Sequence, residues 1–182
     1  MSSSGNPDIR EQVDANRGIS KRLELLVPGL RTYRKLEDIR VSDELLRNQV
    51  ADKLDQARSN LEALRKQMAA SGDFTNLTPV GSLISQFQQF SGEVRHSAQG
   101  YSGFAASIQM DEDKLNHLYN YDYDFVSSSI QLLDSTSPGK LVYDPSAPSS
   151  VVPLLSSISS ALSAVKSKWA VRIEAIQNIL LK

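Results

Sequence analysis

The chain has 182 residues, with 20 Lys and Arg against 21 Asp and Glu, no cysteine, and two histidines, His96 and His117. A disulfide scaffold, a thiolate metal site and a cysteine nucleophile are excluded, and the near-zero charge lacks the cationic excess that non-specific nucleic-acid binding needs. The length predicts one compact unit, or at most two.

In chain order, the opening Met1-Ser-Ser-Ser-Gly5-Asn-Pro is polar and lacks the apolar run of a secretory signal. Residues 1–28 read as an N-terminal amphipathic helix or arm, with Ile9, Val13, Leu23 and Leu26 on one side and a break at Pro28-Gly29. Its cations Arg10, Arg17, Lys21 and Arg22 are the residues that would meet an anionic membrane surface. Asp8, Glu11, Asp14 and Glu24 interleave with them, and the face carries no Trp or Phe. The expectation is therefore packing on the rest of the chain, with membrane contact as the alternative.

Residues 29–137 read as the core of a helical bundle. Leu46, Val50, Leu54, Ala57, Leu61, Leu64 and Met68 follow one another in steps of three and four, which keeps one face of a long helix apolar. Opposite charges at i, i+4, such as Asp43–Arg47 and Arg58–Glu62, predict a solvated outer face. Ser42-Asp43-Glu44 fits a fresh helix start, and an unbroken helix from about Leu30 is the other reading. Ser71-Gly72-Asp73 ends that helix, and Thr78-Pro79 predicts the next N-terminus, with Thr78 as cap. Leu83, Phe87, Phe90 and Val94 form its apolar stripe. Gly100 and Gly103 bracket a connecting loop, and without a Gly-Lys-Ser/Thr ending they do not make a phosphate loop. A further helix is expected from about Asp111, carrying Leu115, Leu118, Phe125, Ile130 and Leu133 inward and stopping before Ser135.

Residues 138–150, with three prolines, read as a linker, and residues 151–182 as a long C-terminal helix packing on the bundle or on a partner. Between Asp144 and Lys166 lie 21 uncharged positions, long enough to span a bilayer. They hold three prolines and eight serines, however, and this argues for a soluble helix. Leu155, Ile158, Leu162, Val165, Trp169, Ile173, Ile176 and Leu180 form its stripe, with position 172 or 173 as the inward step, and are the expected association residues. Outward positions are mostly Ser and Ala, over which a partner helix can approach closely.

Candidate chemistry is sparse. His117 has Asp113 and Tyr121 four residues to either side, but no Glu-x-x-His and no second histidine at helical spacing. It reads as a helix-surface residue, and His96 as one that satisfies helix-terminal carbonyls. The tyrosines at 119, 121 and 123 alternate with Asn120, Asp122 and Asp124, and these aspartates repel phosphate; Tyr119 and Phe125 are expected in the core. No catalytic residue, metal ligand or cofactor site is expected, nor a nucleic-acid or small-molecule partner. Residues 1–70 carry 13 basic and 11 acidic groups, residues 71–137 carry 2 and 8, and residues 138–182 carry 5 and 2. An acidic middle between mildly basic ends suits helices that pack on one another.

Three segments, Gly29-Leu-Arg-Thr-Tyr-Arg-Lys-Leu-Glu-Asp-Ile-Arg40 through Arg47, Gly100-Tyr-Ser-Gly-Phe104, and Glu112-Asp-Lys-Leu-Asn-His-Leu-Tyr-Asn-Tyr-Asp122, carry a resemblance. Across about residues 29–133 the chain resembles a family of small helical coiled-coil proteins of bacteria and archaea to which no activity is attached. Its members look like the coiled-coil proteins found beside membrane-stress factors of the phage-shock protein A type. The expectation is an all-α, antiparallel helical bundle with long coiled-coil-like helices. Its expected role is non-enzymatic and cytoplasmic: a scaffold or interaction protein, homo-oligomeric or bound to a helical partner. The alternative is a membrane-maintenance protein at the inner face of the membrane.

Overall fold

The computed structural model describes residues 9–30, 36–97 and 112–180, with the backbone alone at residues 9–17, 36–38, 112 and 179–180. The protein is all-α: helices α1 (Ile9–Leu26), α2 (Leu36–Ala70), α3 (Leu77–His96), α4 (Glu112–Ser135) and α5 (Val151–Leu180), with a 3-10 turn at Pro148–Ser150. The described residues contain no strand.

Helices α2 to α5 each bury one stripe at steps of three and four. In α2 it runs Ile39, Asp43, Leu46, Val50, Leu54, Ala57, Leu61, Leu64 and Met68; in α3, Val80, Leu83, Phe87, Phe90 and Val94. In α5 it runs Val151, Leu155, Ile158, Leu162, Val165, Trp169, Arg172 and Ile176. In α4 the inward positions are Leu118, Asp122, Phe125, Ser129 and Leu132, flanked by Tyr119 and Val126, with Thr136 just past the helix end. Leu115, Ile130 and Leu133 are half-buried rather than central.

α2 continues through Ser42-Asp43-Glu44, so those residues start no new helix; Ser42 and Asp43 are buried within it. It ends in a Schellman motif: Asp73 N–H donates to Met68 O (3.0 Å), Gly72 N–H donates to Ala69 O (3.1 Å), and Gly72 takes φ +78°. α3 begins one residue before Thr78, with Asn76 as its cap, because Asn76 is already held by Asp73: its backbone N–H and its side-chain amide both donate to that carboxylate (3.3 and 2.8 Å).

Cross-contacts fix the helix directions. Arg65 lies over Gly81, Ser91 Oγ donates to Ala51 O, and Arg95 pairs with Asp52 and Asp55, so α2 and α3 run antiparallel. Asp122 meets Arg172 and Asp124 meets Lys168, so α4 and α5 also run antiparallel. Lys166 sits by Phe90 and Trp169 by Glu93, so α3 and α5 run in the same direction. The bundle is therefore two antiparallel hairpins side by side, in ring order α2–α3–α5–α4, with parallel neighbours where the hairpins meet. Among the described residues α1 packs on α4, while α2 and α5 occupy opposite corners.

The stretch 138–150 is tied to the fold rather than hanging free. Leu141 is buried, Tyr143 Oη donates to Asp73 Oδ2 (3.2 Å), and Asn76 Nδ2 donates to Pro148 O (3.2 Å).

Candidate functional site

Charge is concentrated inside the bundle at one level. Asp43 on α2, Asp122 on α4 and Arg172 on α5 each occupy an inward stripe position, where neighbouring turns place Leu, Val, Phe or Trp. Helix periodicity alone therefore carries all three into the interior. The Arg172 Nε–H donates to Asp122 Oδ1 and its Nη2 to Asp43 Oδ1, each at 2.6 Å. Side-chain exposures are 1% for Arg172, 0% for Asp122 and 6% for Asp43. Because α2 and α5 are diagonal corners, the arginine crosses the bundle axis to reach Asp43, which a shorter side chain could not do.

A fourth group extends the network. Arg47, one turn along α2, donates from Nε to Asp43 Oδ2 (2.8 Å) and from Nη1 to the carbonyls of Arg95 (3.0 Å) and Val94 (3.4 Å) at the α3 C-terminus. Asp43–Arg47 is thus an interior pair, not the solvated one its spacing suggested. The terminal carbonyls of α3 are met by Arg47, whereas His96 is exposed. Among the described contacts two carboxylates and two guanidiniums meet here, and all four helices are joined at this level. The face of Arg172 also lies 5.6 Å from the Trp169 ring centroid, and Trp169 in turn tilts against Phe125 at 5.0 Å.

A second polar cluster stands at the opposite end. Asp73 accepts from Asn76 and from Tyr143, and these hydrogen bonds hold its carboxyl below the usual carboxylate range. Burial, together with that same bond to Asp73, pushes the Tyr143 phenol up. On the flank of the α2–α3 hairpin, Arg95 bridges Asp52 and Asp55 (2.8 and 2.9 Å), which strengthens its hold on its proton.

Two of the surface grooves are lined by described residues. One, of about 360 Å³, lies between α3 and α5 and is lined by Phe90, Glu93, Lys166, Trp169 and Ile173 among others. The other, of about 390 Å³, lies between α2 and α3 and is lined by Glu62, Arg65, Lys66, Leu77 and Ile84 among others. Among the described residues, the Asp43–Arg172–Asp122 bridge is buried and paired, and neither of these grooves opens onto it. Among the described residues no group of three or more His, Asp or Glu could hold a metal ion, and His117 and Asp113 are both exposed on α4.

The residues singled out from sequence fall as follows. Leu155, Ile158, Leu162, Val165, Trp169 and Ile176 are buried in the chain's own core and Ile173 is half-buried, while the Leu180 side chain lies outside the described residues. Arg172, not Ile173, takes the inward step. Lys21 and Arg22 are exposed on α1 beside Leu25, which is 83% exposed; the side chains of Arg10 and Arg17 lie outside the described residues, as does the loop bearing Gly100 and Gly103. One helix, Pro148–Asn178, is long and apolar enough by length and composition to cross a membrane. The stripes 39–43–46–50, 118–122–125–129 and 165–169–172–176 carry the signal for the bridge, but composition alone marks Asp43, Asp122 and Arg172 as surface residues. No family model, curated protein or solved structure matches the chain.

Proposed function

We propose that this chain is a non-enzymatic helical interaction protein of the cytoplasm, working by helix–helix association with a second copy or a helical partner rather than by chemistry on a small molecule or nucleic acid. The observation that carries the reading is the outward face of α5. Val152, Pro153, Ser156, Ser157, Ser160, Ser163, Ala164 and Ser167 are all exposed and none is charged. Small side chains let a second helix approach closely, and a long uncharged face is unusual on a helix whose other side is already in a core. The inward stripe is spent in cis, so association falls to the outer one.

Sedimentation across a wide concentration range tests this, with Ser160→Arg/Ala164→Arg as the variant. The expected result is a mass above the monomer for the parent, and a return to monomer in the variant with helix content unchanged. A parent that stays monomeric, and captures no helical partner through this face, removes the reading.

One observation favours the membrane alternative: Leu25 stands almost fully exposed next to Lys21 and Arg22. An apolar side chain one turn from two cations suits the boundary of an anionic bilayer. Flotation with anionic and neutral vesicles decides it, with Leu25→Glu expected to abolish any anionic-dependent binding.

A further inference from the structure

The α5 stripe steps 4, 3, 4, 3, 4, 3, 4 from Val151 to Ile176, an unbroken heptad alternation. Such a stripe is nearly degenerate under a slide of seven residues, because Val165 then stands where Ile158 stood and Trp169 where Leu162 stood. Apolar burial has no direction and tolerates exchanges of comparable volume such as Val165 for Ile158, so only the Trp169-for-Leu162 exchange sets the two registers apart by packing. Surface ties such as Trp169–Glu93 and the Asn76–Pro148 bond oppose a slide from outside, and within the buried stripe one residue breaks the degeneracy. In that slide Arg172 moves to the apolar level that Val165 occupied, and Ile179, which follows to the Asp43–Asp122 level, cannot answer the two carboxylates.

We infer that the Asp43–Arg172–Asp122 bridge is a register lock: it selects the one axial position of α5 among several that the apolar stripe would accept. Three observations converge on this. The arginine sits on the heptad stripe itself, both of its partners sit on the stripes of two other helices, and one of those partners lies across the bundle diagonal. A single charged residue at an inward heptad position is a known means of fixing register, at a cost in stability. Arg47 extends the lock to the α3 C-terminus through Asp43, so the level is held at all four corners. The inference concerns α5 within one chain and is independent of whether its outer face binds a partner.

The double variant Asp122→Leu/Arg172→Met removes one charge of each sign and leaves Asp43 with Arg47. The chain has no cysteine, so spin labels placed through Gln67→Cys and Lys168→Cys, both exposed positions on α2 and α5, report one distance by double electron–electron resonance. The full-length parent is expected to give a single distance. The unlocked variant is expected to keep its helix content and add a second distance displaced by about 10 Å, the rise of seven helical residues. A folded variant that keeps the parent's single distance overturns the lock. Asp122→Asn/Arg172→Gln, closer in shape and still able to hydrogen bond, guards against a packing failure in the first variant. Loss of helix content in both variants also overturns the inference, since the charges would then be holding the fold rather than choosing its register.

Discussion

At position 172 an arginine stands where each neighbouring turn of α5 places an apolar side chain, and its stability effect depends on what is removed with it. Arg172→Met alone leaves Asp122, 0% exposed, without its counter-charge; breaking a buried pair in this way costs about 3–5 kcal/mol. Asp122→Leu/Arg172→Met removes both charges and is expected to recover most of that loss, in urea unfolding followed by circular dichroism. A double variant as unstable as the single one would mean that packing, not charge, sets the cost. At the other end, Asp73 and Tyr143 share one hydrogen bond and make opposite demands on pH. The depressed Asp73 contributes stability that is present above the ordinary carboxylate range and is lost as pH falls through its lowered value. The raised Tyr143 contributes stability that is present below about pH 10 and is lost as pH rises through its elevated value. Tyr143→Phe is therefore expected to flatten both the acid and the alkaline limbs of a stability–pH curve, and Asp73→Asn chiefly the acid limb. An unchanged acid limb in both variants would show that this end of the bundle does not couple to titration.

At the scale of the helices, two glycines separate the demands of a turn from those of a helix interior. Gly72 holds φ +78° in the motif that ends α2, so Gly72→Ala forces a side chain into the left-handed region and is expected to destabilise by about 1 kcal/mol. Gly92 lies inside α3, where an added methyl group would meet nothing within 4 Å. Gly92→Ala is expected to stabilise by about 0.5–1 kcal/mol, since the unfolded chain loses freedom and the helix loses nothing. Thermal melts of the two variants should move in opposite directions, and a Gly92→Ala that melts lower would place an unrecognised contact on that face. The helices themselves were legible because Leu, Val, Ile and Phe recur at three- and four-residue steps over long windows, and their ends because Gly72 and the Pro138–Ser150 stretch interrupt that spacing. Inward polar positions were not legible by the same rule. A hydrophobic pattern marks Asp43, Ser129 and Asp122 as outward by chemistry even when their spacing puts them inward, and only the partner on another helix resolves the conflict. Sequence spacing likewise placed the start of α3 at Thr78, because a hydroxyl before proline imitates a cap; the bonds from Asn76 to Asp73, a tertiary constraint, moved it.

At the scale of the whole molecule, the ring α2–α3–α5–α4 gives each of its members two neighbours, whereas α1 leans on α4 alone among the described residues. Local opening costs least where the fewest apolar contacts must be given up, so the parts of a fold need not share one stability. α1 does bury Leu23, and Val27 and Leu30 follow it into the core, while Gln49 Nε2 donates to Pro28 O (2.9 Å) and ties the junction to α2. Ile19 and Leu26 also pack against the core. Opening of α1 would expose one flank of α4 while leaving the central charge network and both hairpins intact. Native-state hydrogen exchange at low denaturant is therefore expected to show α1 amides exchanging through a partial opening, with a smaller free energy and a weaker denaturant dependence than the amides of α2 and α5. If α1 instead exchanges with the same energy and slope as α2, it is an integral fifth member of the cooperative unit. In that case a surface role for Lys21, Arg22 and Leu25 would have to be played without the helix leaving α4.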